Sequence, residues 1–384
     1  MDFLALATKY LHPDLTGKYI HLNTITPVMN SFADQFEVKV IGQSVLQKEI
    51  YQVKIGSGKT KILIWSQMHG NEPTTTKGLF DFFNFLASDT ELAHQIKSNY
   101  TLLCIPMLNP DGAFAYTREN ANGIDLNRDA VAETQPEMQL LKRTYEQFKP
   151  DYCYNLHDQR TIFGTEGFNS PATISFLAPA FDAACQYNST RMKAVEIIVA
   201  MVEVLESYLP HQIGRFDDAY NVNCTGDYFT TQQTPTILFE AGHYPNDYNR
   251  DESRKFVFIA LVASFLRQNE NVVVDNDLTK YLRIPQNNKC FFDIIYRNIK
   301  IIDNNVEKII NFAAQYREEV IAGKVKFRAV ISKISDLDHY FGHVEYDCDS
   351  LLFSSNGKPY PILGEEATFD LNNSIQFNNG LKII

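Results

Sequence analysis

Short apolar runs that alternate with helix-length amphipathic stretches are what most constrains this chain. "KILIW" at 61–65 leads into "TTKGLFDFFNFLAS", a helix expected to begin near Thr75. "YTLLCIPML" (100–108) leads into a long polar loop, and a helix holding "EMQLLKRTYEQF" is expected from Pro136, its apolar positions near 3.6 spacing. "DYCYNL" (151–156) and "ATISFLAP" (172–179) read as strands, followed by a helix through "RMKAVEIIVAMVEVLESYL". The strand "TPTILFE" (234–240) and the helix "SRKFVFIALVASFLRQ" close the series. Strands this uniformly apolar are buried on both faces, and the intervening helices are what can cover them. The expectation is an α/β domain over residues 1–270, a mixed, largely parallel sheet with helices on both faces. Ahead of it, "FEVKVIGQSV" and "KEIYQVKIGSG" alternate like the two arms of a β-hairpin.

Beyond residue 270 the pattern changes. The stretch 271–288 has a proline and polar clusters and reads as a linker. Residues 289–384 hold strand-like segments such as "CFFDIIYRNIKII" and "KVKFRAVISKI", with turn signals at Asn356-Gly357 and Asn379-Gly380. A small β-rich C-terminal domain of unassigned role is expected, in which 304–319 fits either helix or strand.

Hydrophobic residues make up 45% and charged residues 21% of the 384, as in an ordinary globular protein. A net charge of −11 offers no basic surface for nucleic acid or an anionic membrane. The apolar run "FVFIALVASFL" (256–266) falls well short of the roughly 18–20 residues of a spanning helix and reads as a buried helix face. The N-terminus has an early Asp2 and no basic segment before its apolar run, so no secretory signal is expected. Six scattered cysteines without a CxxC pair suit free thiols in a reducing compartment, hence a cytoplasmic location.

Four polar elements fall at strand ends or in the loop after one, where open α/β sheets form their sites. His69 and Glu72, in "WSQMHGNEPTTT", could bring an imidazole and a carboxylate to one point, and zinc accepts both. His157 follows the strand "DYCYNL" and would complete a His, Glu, His set. The loop "TRENANGIDLNRDA" (117–130) carries Arg118, Asn127 and Arg128, whose guanidiniums suit carboxylates or a developing oxyanion. Glu240 ends "TPTILFE" at a strand rim, where a general base could stand. His243 nearby is a weaker candidate. Each element alone also has a plain structural reading, as a capping histidine, a solvated loop or a strand-end carboxylate.

Taken in order, HxxE, Arg118 with "DLNR", a strand-end His and a strand-end Glu before "AGH" resemble the zinc carboxypeptidase (M14-type) metallopeptidase family over about residues 36–270. The resemblance implies one Zn²⁺ ion held by His69, Glu72 and His157, with Asp125 orienting the first histidine. It implies Glu240 as general base and acid toward a metal-activated water, and Arg118 as the arginine that steadies the oxyanion. Asn127 and Arg128 would hold a free terminal carboxylate on a peptide or small amide substrate. Tyr220 is the better match to the family's mobile cleft tyrosine, with Tyr228 the other candidate. Asp227 matches an acidic position near the specificity pocket, whose adjoining residue, Gly226, has no side chain to select with. The implied activity is hydrolysis of C-terminal peptide bonds. A related deacylase group, similar to aspartoacylase and succinylglutamate desuccinylase, shares HxxE and a DLNR-like segment and tends to carry a β-rich C-terminal domain. It implies the alternative of an N-acyl amino acid substrate.

Overall fold

The computed structural model describes residues 1–266 and 276–383. Two compact units divide them, one of residues 1–159 and 165–287, the other of residues 160–164 and 288–384. In the larger unit eight strands form one sheet: β1 (Glu37–Gln43), β2 (Glu49–Ile55), β3 (Thr60–Ser66), β4 (Tyr100–Ile105), β5 (Tyr152–Asp158), β6 (Ile174–Leu177), β7 (Ile213–Arg215) and β8 (Thr236–Ala241). Their order across the sheet is β1-β2-β4-β3-β5-β8-β6-β7. The central strands β4, β3, β5 and β8 run parallel, while the β1–β2 hairpin and β6 join antiparallel.

The period-2 geometry of a strand sorts the central residues onto two cores. Ile62, Ile64, Leu102, Cys104, Tyr154, Leu156, Ile237 and Phe239 face the larger one. The helices Thr74–Leu86, Ser189–Leu205 and Ser253–Ala263 bury their apolar residues there. Leu63, Trp65, Leu103, Ile105 and Cys153 face the smaller core, completed by Met138, Leu140 and Leu141 of the helix Pro136–Phe148 and Phe229 of Thr225–Thr231. The middle of each central strand is therefore mostly apolar on both faces. By the same parity His157 and Glu240 project on the side of the smaller core, and they are register neighbours on parallel strands.

The long polar loop after β4 contains a short helix, Pro110–Ala115, too brief for its periodicity to be read from sequence. The stretch expected as a linker over 271–288 differs in its described part; residues 271–275 lie outside the described residues. Asp277–Leu282 is a helix, and the fully buried Tyr281 accepts the Ala178 N–H at its hydroxyl. A buried aromatic anchor made this polar-looking segment part of the larger unit.

The second unit is β-rich. β9 (Phe291–Asp303), β10 (Val306–Ile321), β11 (Lys324–Ile334) and β12 (Phe341–Asp347) form a sheet in the order β11-β10-β9-β12. The ambiguous 304–319 is thus strand. Its ends explain the outcome: Asn304-Asn305 and Ala322-Gly323 all have positive φ, as two-residue hairpin loops require. Asn356-Gly357 and Asn379-Gly380 adopt the same left-handed pair. Tyr296, Phe312, Phe369 and Phe377 fill the core of this unit.

Candidate metal centre

At the carboxyl end of β3 the chain turns sharply. Gln67 takes φ of 47°, and its side-chain amide donates to the Ile20 and Gly70 carbonyls, both at 2.8 Å. Gly70 is obligatory there, since a Cβ would lie 1.9 Å from the Gly112 carbonyl carbon. The short 110–115 helix therefore packs its backbone directly against the His69–Glu72 turn. Asn109 joins the two, accepting from Gly112 N–H at 2.8 Å and donating to the Met68 carbonyl at 3.2 Å. After Glu72, the helix Thr74–Leu86 begins, capped from across the sheet by Asp158, which accepts from Thr74 N–H at 2.7 Å and Thr75 N–H at 3.1 Å.

These supports bring His69, Glu72 and His157 together, with one donor atom from each within 4.8 Å of the others. His69 Nδ1 lies 2.9 Å from Glu72 Oε1, His157 Nδ1 lies 2.9 Å from Glu72 Oε2, and the two Nδ1 atoms are 3.1 Å apart. His69 Nε2 faces Asp125 Oδ1 at 3.0 Å, which requires the proton on Nε2. Arg118 Nη1 donates to His69 Nδ1 at 3.2 Å, which requires a lone pair there. Nδ1 of His69 thus turns a lone pair toward a carboxylate oxygen and toward a second imidazole nitrogen. With His69 neutral, that approach of its lone pair to the carboxylate is repulsive unless a proton or a cation lies between them. The donor types, two imidazole nitrogens and a carboxylate, fit zinc, with the Asp125–His69 bond fixing the tautomer.

Burial disfavours charge on His69, yet Glu72 and Asp125 outweigh it and raise its pKa; on His157 burial wins and the pKa is lowered. Burial alone would raise Glu72, but the two imidazoles more than offset it and hold the carboxyl ionised. Glu240 is the opposite case. Burial, then the negative charges of Glu72 and Asp158, push its pKa well above the usual carboxylate range.

Arg118 is held by Asp125 through Nε at 3.1 Å and reaches Glu72 Oε1 from Nη1 at 3.2 Å, so it borders the cluster. Asn127 lies one turn from Asp125 and anchors its side-chain oxygen on Thr225. Arg128 is exposed, its Nη1 donating to the Asn127 carbonyl at 2.7 Å and to Cys224 Sγ at 3.1 Å. Tyr220 is half-buried on the loop before the Thr225–Thr231 helix, and that loop is tied down by Asn221 N–H donating to Asp227 at 2.9 Å. Tyr228 instead turns toward the smaller core, with Lys142 Nζ over its ring at 4.2 Å. His243 is buried outside the donor cluster. Asn109, Asp158 and Thr225 carry the site without a sequence reading having singled them out; the "NPDG" Asx turn at 109–112 was the available signal for the first.

Comparison with known proteins agrees with this geometry. The family model described as zinc carboxypeptidase matches residues 22–171, a span that contains His69, Glu72, Arg118, Asp125, Asn127, Arg128 and His157 and ends before Glu240. A probable carboxypeptidase 2 of Arthroderma benhamiae is 29% identical over 100 residues, 26% of this chain and 19% of the relative. Carboxypeptidase SOL1 of Arabidopsis thaliana is 40% identical over 65 residues, 16% of this chain and 13% of the relative. The chain therefore spans about a fifth or less of the length of the curated relatives it matches. Among solved structures, a metallo-carboxypeptidase from Burkholderia cenocepacia superposes with a TM-score of 0.51 at 17% identity, covering 63% of this chain and 67% of that one. Thrombin activatable fibrinolysis inhibitor gives 0.53 at 14% identity, covering 70% and 81%. At such identities the likeness carries the fold. Residues 22–171, which contain the strand-end His69, Glu72 and His157, thus match the zinc carboxypeptidase family model, and the fold is similar to that of solved metallo-carboxypeptidases.

Proposed function

We propose that this chain is a zinc-dependent metallocarboxypeptidase that hydrolyses the C-terminal peptide bond of peptides. The observation that carries the reading is the convergence of His69, Glu72 and His157 with Glu240 in register beside His157 on the same face of the sheet. Zinc held by those three residues would supply a Lewis acid for the scissile carbonyl and lower the pKa of water. Glu240 is the base and acid of the pair of proton transfers. Its buried carboxyl has a raised pKa, which strengthens it as a base once ionised and lets it return the proton to the leaving amine. Arg118, braced by Asp125, offers guanidinium N–H donors where negative charge develops on the carbonyl oxygen. Asn127 and Arg128 hold the terminal carboxylate, and Tyr220 closes over the bound residue.

A second reading, zinc-dependent deacylation of N-acyl amino acids, draws support from the β-rich second unit. One assay separates the two. Zinc-loaded protein and Glu240→Gln are incubated with peptides having free or blocked C-termini, and with N-acyl amino acids, and products are read by mass spectrometry. Release of single residues from free C-termini, slowed about 10²–10⁴-fold in the variant, is the expected result. Cleavage of N-acyl amino acids alone would replace the peptidase reading with the deacylase one.

A further inference from the structure

Asn127 is held in one orientation by a single neighbour, and we infer that Thr225 is the positioning residue that makes the cleft accept an acid terminus and reject an amide. The inference rests on the assignment of Asn127 to the carboxylate clamp made above.

Thr225 is the first residue of the helix Thr225–Thr231, preceded by Cys224 in an extended conformation at φ −78° and ψ 136°. A first-turn N–H has no partner inside its own helix and is available to another group. Here it donates to Asn127 Oδ1 at 2.9 Å, and the Thr225 hydroxyl reaches the same oxygen at 2.6 Å. A backbone N–H can only donate, so the atom facing it is the amide oxygen, and the side chain has one allowed flip state. Asn155 Nδ2 donates to Thr225 Oγ1 at 3.4 Å, and of the two acceptors the hydroxyl faces, Asn127 Oδ1 at 2.6 Å is nearer and stronger than the Met68 Sδ at 3.8 Å. Thr225 is fully buried, so water does not compete for these bonds.

Both lone pairs of Asn127 Oδ1 are consumed, and what remains of the amide is its NH₂ group. The backbone is pinned too, with Asn127 N–H on Asp125 Oδ1 at 2.9 Å, the oxygen that also meets His69 Nε2. Beside it Arg128 offers only donors, its Nη1 fixed on the Asn127 carbonyl. A clamp with donors alone matches a carboxylate, which only accepts. A carboxamide presents an NH₂ that meets another donor, and such a clash is how a site rejects a near-isostere. An unlocked Asn127 could flip and accept from the amide, so the discrimination depends on Thr225.

Three substitutions grade the lock. Thr225→Ser retains both donors. Thr225→Val removes the hydroxyl and keeps the N–H. Thr225→Pro removes both at a position where proline suits a helix start, and the extended Cys224 is the conformation a residue before proline adopts. Each is made in the Glu240→Gln background, and binding of one peptide in its free-acid and amidated forms is measured by calorimetry. The acid-to-amide affinity ratio is expected to stay unchanged in Thr225→Ser, to fall about tenfold in Thr225→Val and further in Thr225→Pro. With Glu240 restored, Thr225→Val should raise KM for the acid peptide more than it lowers kcat. Wild-type ratios in both Val and Pro variants, with zinc stoichiometry and melting temperature intact, would overturn the inference. So would a Glu240→Gln parent that binds acid and amide alike. If the proline variant does not fold, the valine variant decides. Because the ratio is read in binding, it tests Thr225 even where peptide hydrolysis fails and the peptidase reading falls.

Discussion

Two buried clusters of charge in the larger unit have similar composition and opposite logic. In the helical layer behind the sheet, Arg254 donates to Asp81 and to the carbonyls of Leu15 and His12, while Asp81 also accepts the His12 N–H at 2.7 Å. Beside them Lys77 donates to Asp251 at 2.7 Å and to the Asn249 carbonyl at 2.9 Å, and Asp251 accepts the Gly17 N–H at 3.1 Å. Donor meets acceptor throughout, and the product is an N-terminal segment latched onto two helices. At the carboxyl rim of β3 and β5, two Nδ1 atoms and a carboxylate converge on one point, and in the tautomer that Asp125 selects the His69 Nδ1 turns a lone pair toward Glu72. Burial and charge alone would rate the two clusters alike. The direction of the lone pairs tells a structural brace from a site built for a cation.

The sharpest way to break this distinction is His157→Ala. It should abolish stoichiometric zinc binding and peptide hydrolysis, and erase the rise in melting temperature that zinc confers on the wild type. In excess chelator the variant should melt close to the wild type, since the rim is organised around the ion rather than around its own hydrogen bonds; metal analysis and scanning calorimetry test both halves. A large fall in stability without zinc would mean the rim is a brace after all. Asp81→Ala should behave the other way. It leaves Arg254 buried and unpaired, which costs about 3–5 kcal/mol in urea unfolding, with or without zinc, while the zinc stoichiometry of the folded fraction is unchanged.

Asp125→Asn should fall between them, weakening zinc binding by about 10–100-fold in a chelator competition because His69 loses the partner that fixes its tautomer. The smallest effect is expected at Asp227, where burial raises the pKa from 3.8 to about 6. The folded state then binds more protons than the unfolded chain between those values, so stability falls as pH rises through that window. Asp227→Asn escapes the loss. It should melt a few degrees above the wild type near neutrality, and the difference should vanish at about pH 4. A constant difference across that range would place the effect elsewhere.

Much of the architecture was legible in advance. The central strands announce themselves because burial on both faces leaves continuous apolar runs such as "ILIW" at 62–65 and "ILF" at 237–239, and Asn-Gly pairs mark turns because only left-handed backbone closes a two-residue loop. The site was legible as a set of residue types at strand ends. What escaped were its supports. Asp158 reads as one more acid beside His157, yet it caps the helix that begins at Thr74, 84 residues before it in the chain. Tyr281 sits in a polar stretch whose burial no local pattern announces. Thr225 does not stand out in the sequence, since a threonine at a helix start is ordinary until its partner, 98 residues away, is known.

The sequence by itself determined the order of the central strands and their covering helices, the two-sided burial of the central sheet, and which side chains could ligate a metal. All of these depend on residues near one another in the chain, through periodicity, turn conformation and chemical type. Tertiary structure decided which donors converge, which of their atoms bear protons, and which way the Asn127 amide points. Those follow from distances of about 3 Å between residues 49 to 98 positions apart, such as Arg118 with His69 and Thr225 with Asn127, and a hydrogen bond's sense exists only once both partners are in place.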